Sequence, residues 1–139
     1  MNIMRMIVAS VCVALFTGLA ACGTMSGQAC DASQRSMVAE YIYFGTNAPP
    51  RQVTPAEWNT FVSDVVSSLF PHGFTYWQAT GQWRNERGVI IQERSYVLNV
   101  IREGNEKSDA LIKEVVKSYK ERFAQEAVLR ASSHVCETH

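Results

Sequence analysis

Six segments with regular apolar spacing follow one another along most of the chain. Residues 37–44 are rich in β-branched and aromatic side chains, which predicts a strand. Residues 55–70 repeat apolar side chains at helical spacing, and Thr54-Pro55-Ala56-Glu57 is a capping box with proline at the first helical position. The other four segments predict two strands, an amphipathic helix and a last strand, at residues 74–84, 89–102, 106–123 and 126–135.

The order strand, helix, strand, strand, helix, strand predicts a ferredoxin-like βαββαβ fold of the α+β class, an antiparallel sheet with both helices on one face. A chain of 139 residues has the length of one such domain, which we place at residues 37–139. In this topology the last strand lies antiparallel beside the first, so the two ends of the domain meet. Cys30 and Cys136 are therefore expected to be neighbours.

The N-terminus has the features of a signal peptide. Arg5 precedes an uncharged apolar run that ends in Leu19-Ala20-Ala21-Cys22, which resembles the lipobox of bacterial lipoproteins. We predict that residues 1–21 are removed, that Cys22 is lipidated by acyl chains such as palmitate, and that residues 22–36 are a tether. The alternative is secretory cleavage after Ala20, which would release a soluble protein.

The resemblance to lipoproteins also implies a location. Gly23 stands where an aspartate would retain a lipoprotein in the inner membrane, so the expected place is the outer membrane, facing the periplasm. The membrane is then a partner through the lipid anchor, in which each buried CH₂ contributes about 0.8 kcal/mol.

The cysteine count agrees with lipidation. Cys12 leaves with the leader and acylation occupies Cys22, so Cys30 and Cys136 remain as a pair in an oxidising compartment, and we predict a disulfide between them. The alternative is a zinc site formed by Cys30 with the run from His134 to His139. Its spacing matches no closed Cys/His framework, so no metal is predicted.

Composition excludes one class of partner. Thirteen basic and thirteen acidic residues give a net charge of zero, and no basic stripe is available to neutralise phosphates, so no nucleic acid is expected. No cofactor motif and no nucleophile motif is recognisable.

The later part of the chain resembles the bacterial secreted family called domain of unknown function 3574. The resemblance covers most of the chain after Ser36 and depends on the order of several short pieces. These include Tyr43-Phe44-Gly45, Phe70-Pro71-His72-Gly73, Gly81-Gln82-Trp83-Arg84, Tyr119-Lys120-Glu121-Arg122-Phe123 and Val135-Cys136. It implies a small exported or lipid-anchored domain with paired cysteines, and no established activity.

Candidate polar sites are few. Glu40, in the apolar first strand, could act as a general base, or it could form a structural ion pair with Arg130 on the neighbouring strand. Gln82, Arg84, Glu93 and Arg94 around the central hairpin could bind a small anion, or they could form surface ion pairs.

A lone four-stranded sheet with helices on one side leaves its other face open. Here that face should carry Val97 and Ile101 with Asn99 between them, an apolar surface that could join two copies into a homodimer, or could lie near lipid or be covered by another partner without any chemistry. These features favour a non-enzymatic envelope lipoprotein that binds a partner or has a structural role at the cell surface. The alternative is a small extracytoplasmic enzyme or ligand-binding protein with a pocket formed between two copies.

Overall fold

The computed structural model describes residues 29–48, 50–84 and 86–138. The first helix is continuous from Pro55 to Leu69 and consists of α1 (Pro55–Phe61), a π-helical turn (Val62–Val66) and α2 (Ser67–Leu69), and the second helix is α3 (Glu106–Phe123). The strands are β1 (Arg35–Gly45), β2 (Asn47–Ala48), β3 (Arg51–Gln52), β4 (Thr75–Arg84), β5 (Ile90–Arg102) and β6 (Leu129–Glu137).

The predicted ferredoxin-like α+β fold is confirmed. The four long strands form one antiparallel sheet in the order β4-β5-β1-β6. The first and last long strands are neighbours, with Ile42 opposite Arg130. On its other side β1 pairs with β5, with Ile42 opposite Leu98.

The core lies between one face of the sheet and the two helices. Alternate residues of β1 and β5, such as Phe44 and Leu98, meet side chains of the helices there. Trp58 is fully buried and stacks on Tyr96 with ring centroids 4.2 Å apart. Tyr119 of α3 is fully buried too and donates a hydrogen bond to the carbonyl oxygen of Gly45 at 2.8 Å.

Local signals set where the helices begin. The Thr54 hydroxyl accepts from the Glu57 N–H at 3.3 Å, and the Glu57 carboxylate accepts from the Thr54 N–H at 2.9 Å, which completes the predicted capping box. The Asn105 side chain caps α3 by accepting from the Ser108 N–H at 2.8 Å, and Ala124 ends the helix in the left-handed conformation with φ 52°.

The boundaries differ from the sequence prediction mainly at the strands. β6 begins three residues later than predicted and continues to Glu137, because its ladder with β1 extends to the Arg35–Glu137 pair. Residues 47–53, predicted to be a loop, contain the two-residue strands β2 and β3, which pair with each other.

The predicted Cys30–Cys136 disulfide is present, with the two Cα atoms 5.5 Å apart. It joins the segment before β1 to the end of β6. In the described residues, no helix is both long and apolar enough to cross a membrane. The predicted signal peptide and the lipidation of Cys22 lie outside the described residues.

Candidate functional site

A buried ion cluster lies at the centre of the sheet. Glu40 of β1 points to the helix side and is 1% exposed. One carboxylate oxygen accepts from Nε and Nη2 of Arg102 at 3.2 and 2.9 Å, and the other accepts from Nε of Arg130 at 2.9 Å. The two arginines come from β5 and β6, the strands on either side of β1, so both Glu40 oxygens are occupied.

The cluster also attaches α3 to the sheet. Asp109, in the first turn of α3, accepts from Arg130 Nη2 at 2.8 Å and lies 3.6 Å from Arg102 Nη2. Lys113 contacts the other Asp109 oxygen at 2.8 Å. An acidic residue in the first turn is also favoured by the helix dipole. The two carboxylates and two guanidinium groups balance in charge, as buried charges require, and the Lys113 side chain is 70% exposed, so water hydrates its charge.

The electrostatics follow from these contacts. The hydrogen bonds from Lys113 and Arg130 lower the pKa of Asp109 to about 2. The hydrogen bond to Glu40 raises the pKa of Arg130. For Glu40 to act as a general base, one of the two arginines would first have to move away from it. The arrangement therefore serves the structural ion pair better than the catalytic alternative.

Sequence reasoning named Glu40 and Arg130 but missed Arg102 and Asp109. Arg102 continues the core-facing alternation of Leu98 and Val100 along β5, and this period of two was a usable signal. Asp109 had no comparable signal, because only the packing of α3 across the sheet brings it to the arginines.

The other predicted polar residues do not converge. Gln82 accepts from Gln92 Nε2 at 3.1 Å, and Arg84 donates to the carbonyl of Gly88 at 2.9 Å, so both bond within the hairpin. Arg94 is exposed, and its carbonyl accepts from Thr46. These contacts are local.

The side chains of Glu93 and Asn99 are not part of the ion cluster. The carboxylate of Glu93 lies close to Gly45, whose added Cβ would be 3.0 Å from the Glu93 oxygens. Asn99 donates from Nδ2 to the main-chain carbonyl of Glu40 at 3.2 Å. The structure therefore does not assemble these residues into an anion site with Arg84 and Arg94.

The sheet face opposite the helices forms a second candidate site, which we call the open face. It consists of alternate residues of the four long strands: from Met37 to Tyr43, from Thr75 to Ala79, from Ser95 to Ile101 and from Leu129 to Val135. None of these side chains is charged. Four large apolar ones are exposed, namely Tyr43 at 38%, Trp77 at 43%, Ile101 at 42% and Leu129 at 65%.

One residue of the open face differs from expectation. Ile101 is exposed as predicted, but Val97 is only 2% exposed. Val97 lies in the ladder between Tyr43 and Trp77, and these larger side chains shield it. The exposed apolar part of the open face therefore consists of two aromatic side chains, Tyr43 and Trp77, and two aliphatic ones, Ile101 and Leu129.

A cleft of about 440 Å³ lies beside the ion cluster, between the start of α3 and β6. Arg102, Asp109, Glu106 and His134 line it, so it carries both signs of charge. Within the described ranges, no group of three or more side chains could hold a metal ion. Of the alternative zinc set, Cys30 and Cys136 form the disulfide, and His139 lies outside those ranges.

Fold, disulfide and ion cluster together define a small ferredoxin-like α+β domain whose two ends are covalently joined. The chain belongs to the protein family of unknown function DUF3574, whose model matches residues 39–139. No curated protein matches it significantly in sequence.

Solved structures share the fold at low sequence identity. A phage SAM lyase in complex with S-methyl-5′-thioadenosine has 15% identity and a TM-score of 0.52, covering 81% of this chain and 95% of the lyase. The apo form of a phage SAM lyase gives a TM-score of 0.55 at 15% identity, with 75% and 90% covered. CutA from Synechococcus elongatus gives 0.51 at 13% identity, with 76% and 83% covered. These similarities establish the architecture alone.

Proposed function

We propose that this chain is a bacterial envelope lipoprotein, anchored by acyl chains on Cys22, whose domain binds a protein partner through the open face. The observation that carries the binding role is the open face itself: exposed aromatic and aliphatic side chains with no charge among them. A surface of this kind on a small domain is typical of an interaction site, because its exposure to water is unfavourable until a partner covers it.

The ion cluster supports the same role. The charged groups of Glu40, Arg102 and Arg130 bind one another and hold α3 on the sheet. The helix side of the sheet is thereby occupied by structural contacts. The open face, by contrast, keeps four large apolar side chains exposed.

The disulfide supports a location outside the cytoplasm. Disulfides persist in oxidising compartments such as the periplasm, and this one joins the tether side of the domain to β6. About eight residues separate Cys22 from Cys30, a reach below roughly 30 Å. Lipidation at Cys22 would therefore keep the domain within a short distance of the outer membrane.

The anchor is tested by labelling cells with radioactive palmitate and separating their membranes. The unmodified protein should carry label in the outer-membrane fraction, and Cys22→Ala should lose both the label and this location. Cys12→Ala is the matched control, since Cys12 belongs to the predicted leader, and it should behave like the unmodified protein. Label that persists in Cys22→Ala would show that the anchor is misassigned.

The binding surface is tested by placing a photo-crosslinking amino acid in the open face of the intact protein in living cells. Position 101, which is Ile101, should yield a covalent protein adduct. Position 110, the exposed Ala110 on α3, is the control and should yield none. If position 101 gives only the uncrosslinked protein while the chain is folded, the open face does not bind a protein.

A further inference from the structure

The β4–β5 hairpin projects beyond the rest of the sheet. The ladder between β1 and β5 ends at the Gly45–Ser95 pair, followed by one bond from the Thr46 N–H to the Arg94 carbonyl. The ladder between β4 and β5 continues for five more pairs, from Thr80–Arg94 to Arg84–Ile90. We call residues 80–94 the arm. None of its described residues is buried.

The arm exposes large apolar side chains. Trp83, Val89 and Ile90 are 52%, 53% and 51% exposed. A two-stranded ribbon is marginally stable by itself in water, because it has no layer to pack against. Burying the exposed Trp83 and Ile90 side chains against a partner would therefore stabilise the arm.

The arm has an unpaired strand edge, and so does the sheet at β6, within the described residues. Ile90 to Glu93 pair with β4 on one side, and no other strand in the described part of the chain lies along their other side. β6 pairs with β1 alone among the described strands, so the outer edge of residues 129–134 has no strand beside it in the described part of the chain. Unpaired N–H and C=O groups on strand edges bind another strand readily.

The area that a stable interface requires favours burial of the open face and the arm together. Four strands about 4.8 Å apart and about seven residues long at 3.4 Å each give the open face an area near 450 Å². A stable interface covers about 800 Å² on each partner. Both faces of the arm, about 17 Å long and 10 Å wide, supply most of the difference.

The charge pattern is compatible with a second copy of the chain as the partner. A surface with a net charge repels an identical copy of itself, because equal signs meet. The open face has no charged side chain between Met37 and Tyr43 of β1, or between Ser95 and Ile101 on the neighbouring β5 positions that share its side. Two such faces approach each other without electrostatic repulsion.

We propose that the partner of the open face is a second copy of this chain, and that the arm of one copy lies along the outer edge of β6 in the next. This inference rests on the proposed binding role of the open face. Residues Ile90 to Glu93 would extend the neighbour's sheet past β6, while Trp83 would pack against the neighbour's open face. Each copy is thus both donor of an arm and acceptor at β6, and such contacts form a symmetric ring when the rotation between neighbouring copies closes.

The test measures the mass of the full chain, in density-matched detergent, by sedimentation velocity. The unmodified protein should sediment as two or more copies. Trp83→Lys in the arm should weaken self-association by about 30-fold or more, as loss of a buried interface tryptophan does. Ala131→Lys at the exposed acceptor strand should do the same, and Ala110→Lys, the control on α3, should change nothing. Circular dichroism establishes that each variant is folded, and Ile90→Lys replaces Trp83→Lys if the latter is not.

Mixing distinguishes arm exchange from simple face-to-face packing. Trp83→Lys and Ala131→Lys copies each keep one intact half of the junction, so an equal mixture should recover assemblies that neither forms alone. An unmodified protein that stays monomeric at micromolar concentration overturns the proposal. An oligomer that Ile101→Lys breaks but both junction variants leave intact overturns the arm exchange and keeps the binding role of the open face. A monomer that still crosslinks to another protein through position 101 likewise leaves the proposed function standing.

Discussion

Replacing Glu40 with glutamine tests the ion cluster directly, since the side chain keeps its shape and loses its charge. Glu40 is 1% exposed and accepts three hydrogen bonds from Arg102 and Arg130. In Glu40→Gln, one neutral oxygen replaces two charged ones, and the amide N–H groups face the guanidinium groups. Both arginines are then left with Asp109 as their remaining carboxylate in the cluster.

The expected loss of stability in Glu40→Gln follows from how deeply the side chains of the ion cluster are buried. Removing one partner of a buried ion pair typically costs about 3 to 5 kcal/mol. The side chains of Arg102 and Arg130 are 11% and 28% exposed, so water can partly hydrate them, and Asp109 continues to bind Arg130. We therefore expect a loss near the lower limit, about 3 kcal/mol in the free energy of unfolding.

Urea unfolding at pH 7, followed by tryptophan fluorescence, measures this loss. With a slope of about 1.5 kcal/mol per molar urea, the midpoint should fall by about 2 M. Glu121→Gln, at an exposed position of α3, is the control and should change stability by less than about 0.5 kcal/mol.

A midpoint for Glu40→Gln within error of the unmodified protein would refute the role assigned to the cluster. A double-mutant cycle with Arg130→Met adds a second check. The two losses should fall short of additivity by about 1 to 3 kcal/mol, because the side chains are in direct contact. Strict additivity would mean that the contact between them contributes nothing.

Two further changes address the disulfide and the pH dependence. Cys136→Ser opens a link that spans 106 residues, so the free energy of unfolding in urea should fall by about 4 to 5 kcal/mol, and a reductant should lower the unmodified protein equally; equal stability of the oxidised and reduced protein would contradict this. The folded-state pKa of Asp109 is lowered from 3.8 to about 2, so its contribution to stability is complete above pH 4 and disappears as the pH falls toward 2. Asp109→Asn should therefore be less stable than the unmodified protein at pH 7 and equally stable near pH 2, whereas a stability gap independent of pH would show that this carboxylate is not the group responsible.

The disulfide and the tether are connected in one further way. Cys30 is the first residue of the folded part that is covalently fixed to the sheet, through the end of β6. Any pull from the proposed lipid anchor at Cys22 would reach the domain at that point. The force would then act on β1 and β6 together, which are paired from Arg35–Glu137 to Tyr43–Leu129.

Sequence alone determined the six main elements and their order. Each signal used depends on residues close together in sequence, so it can be read without knowing the fold. These signals are the capping box at Thr54, the helical spacing of residues 55–69 and the alternation in β5. The pairing of Cys30 with Cys136 followed too, because cysteine parity and βαββαβ topology both require the two ends to meet.

Only the tertiary structure decided which side chains from distant segments are in contact. Asp109 contacts Arg102 and Arg130 because the packing of α3 on the sheet brings the first turn of the helix over the ends of β5 and β6 where these arginines lie. Val97 is buried because Tyr43 and Trp77 lie opposite it on the two neighbouring strands. The arm exists because β1 ends opposite Ser95 while β4 continues, a difference in ladder length between strands distant in sequence. Register and packing depend on contacts between remote segments, and a local pattern carries no information about where those segments meet.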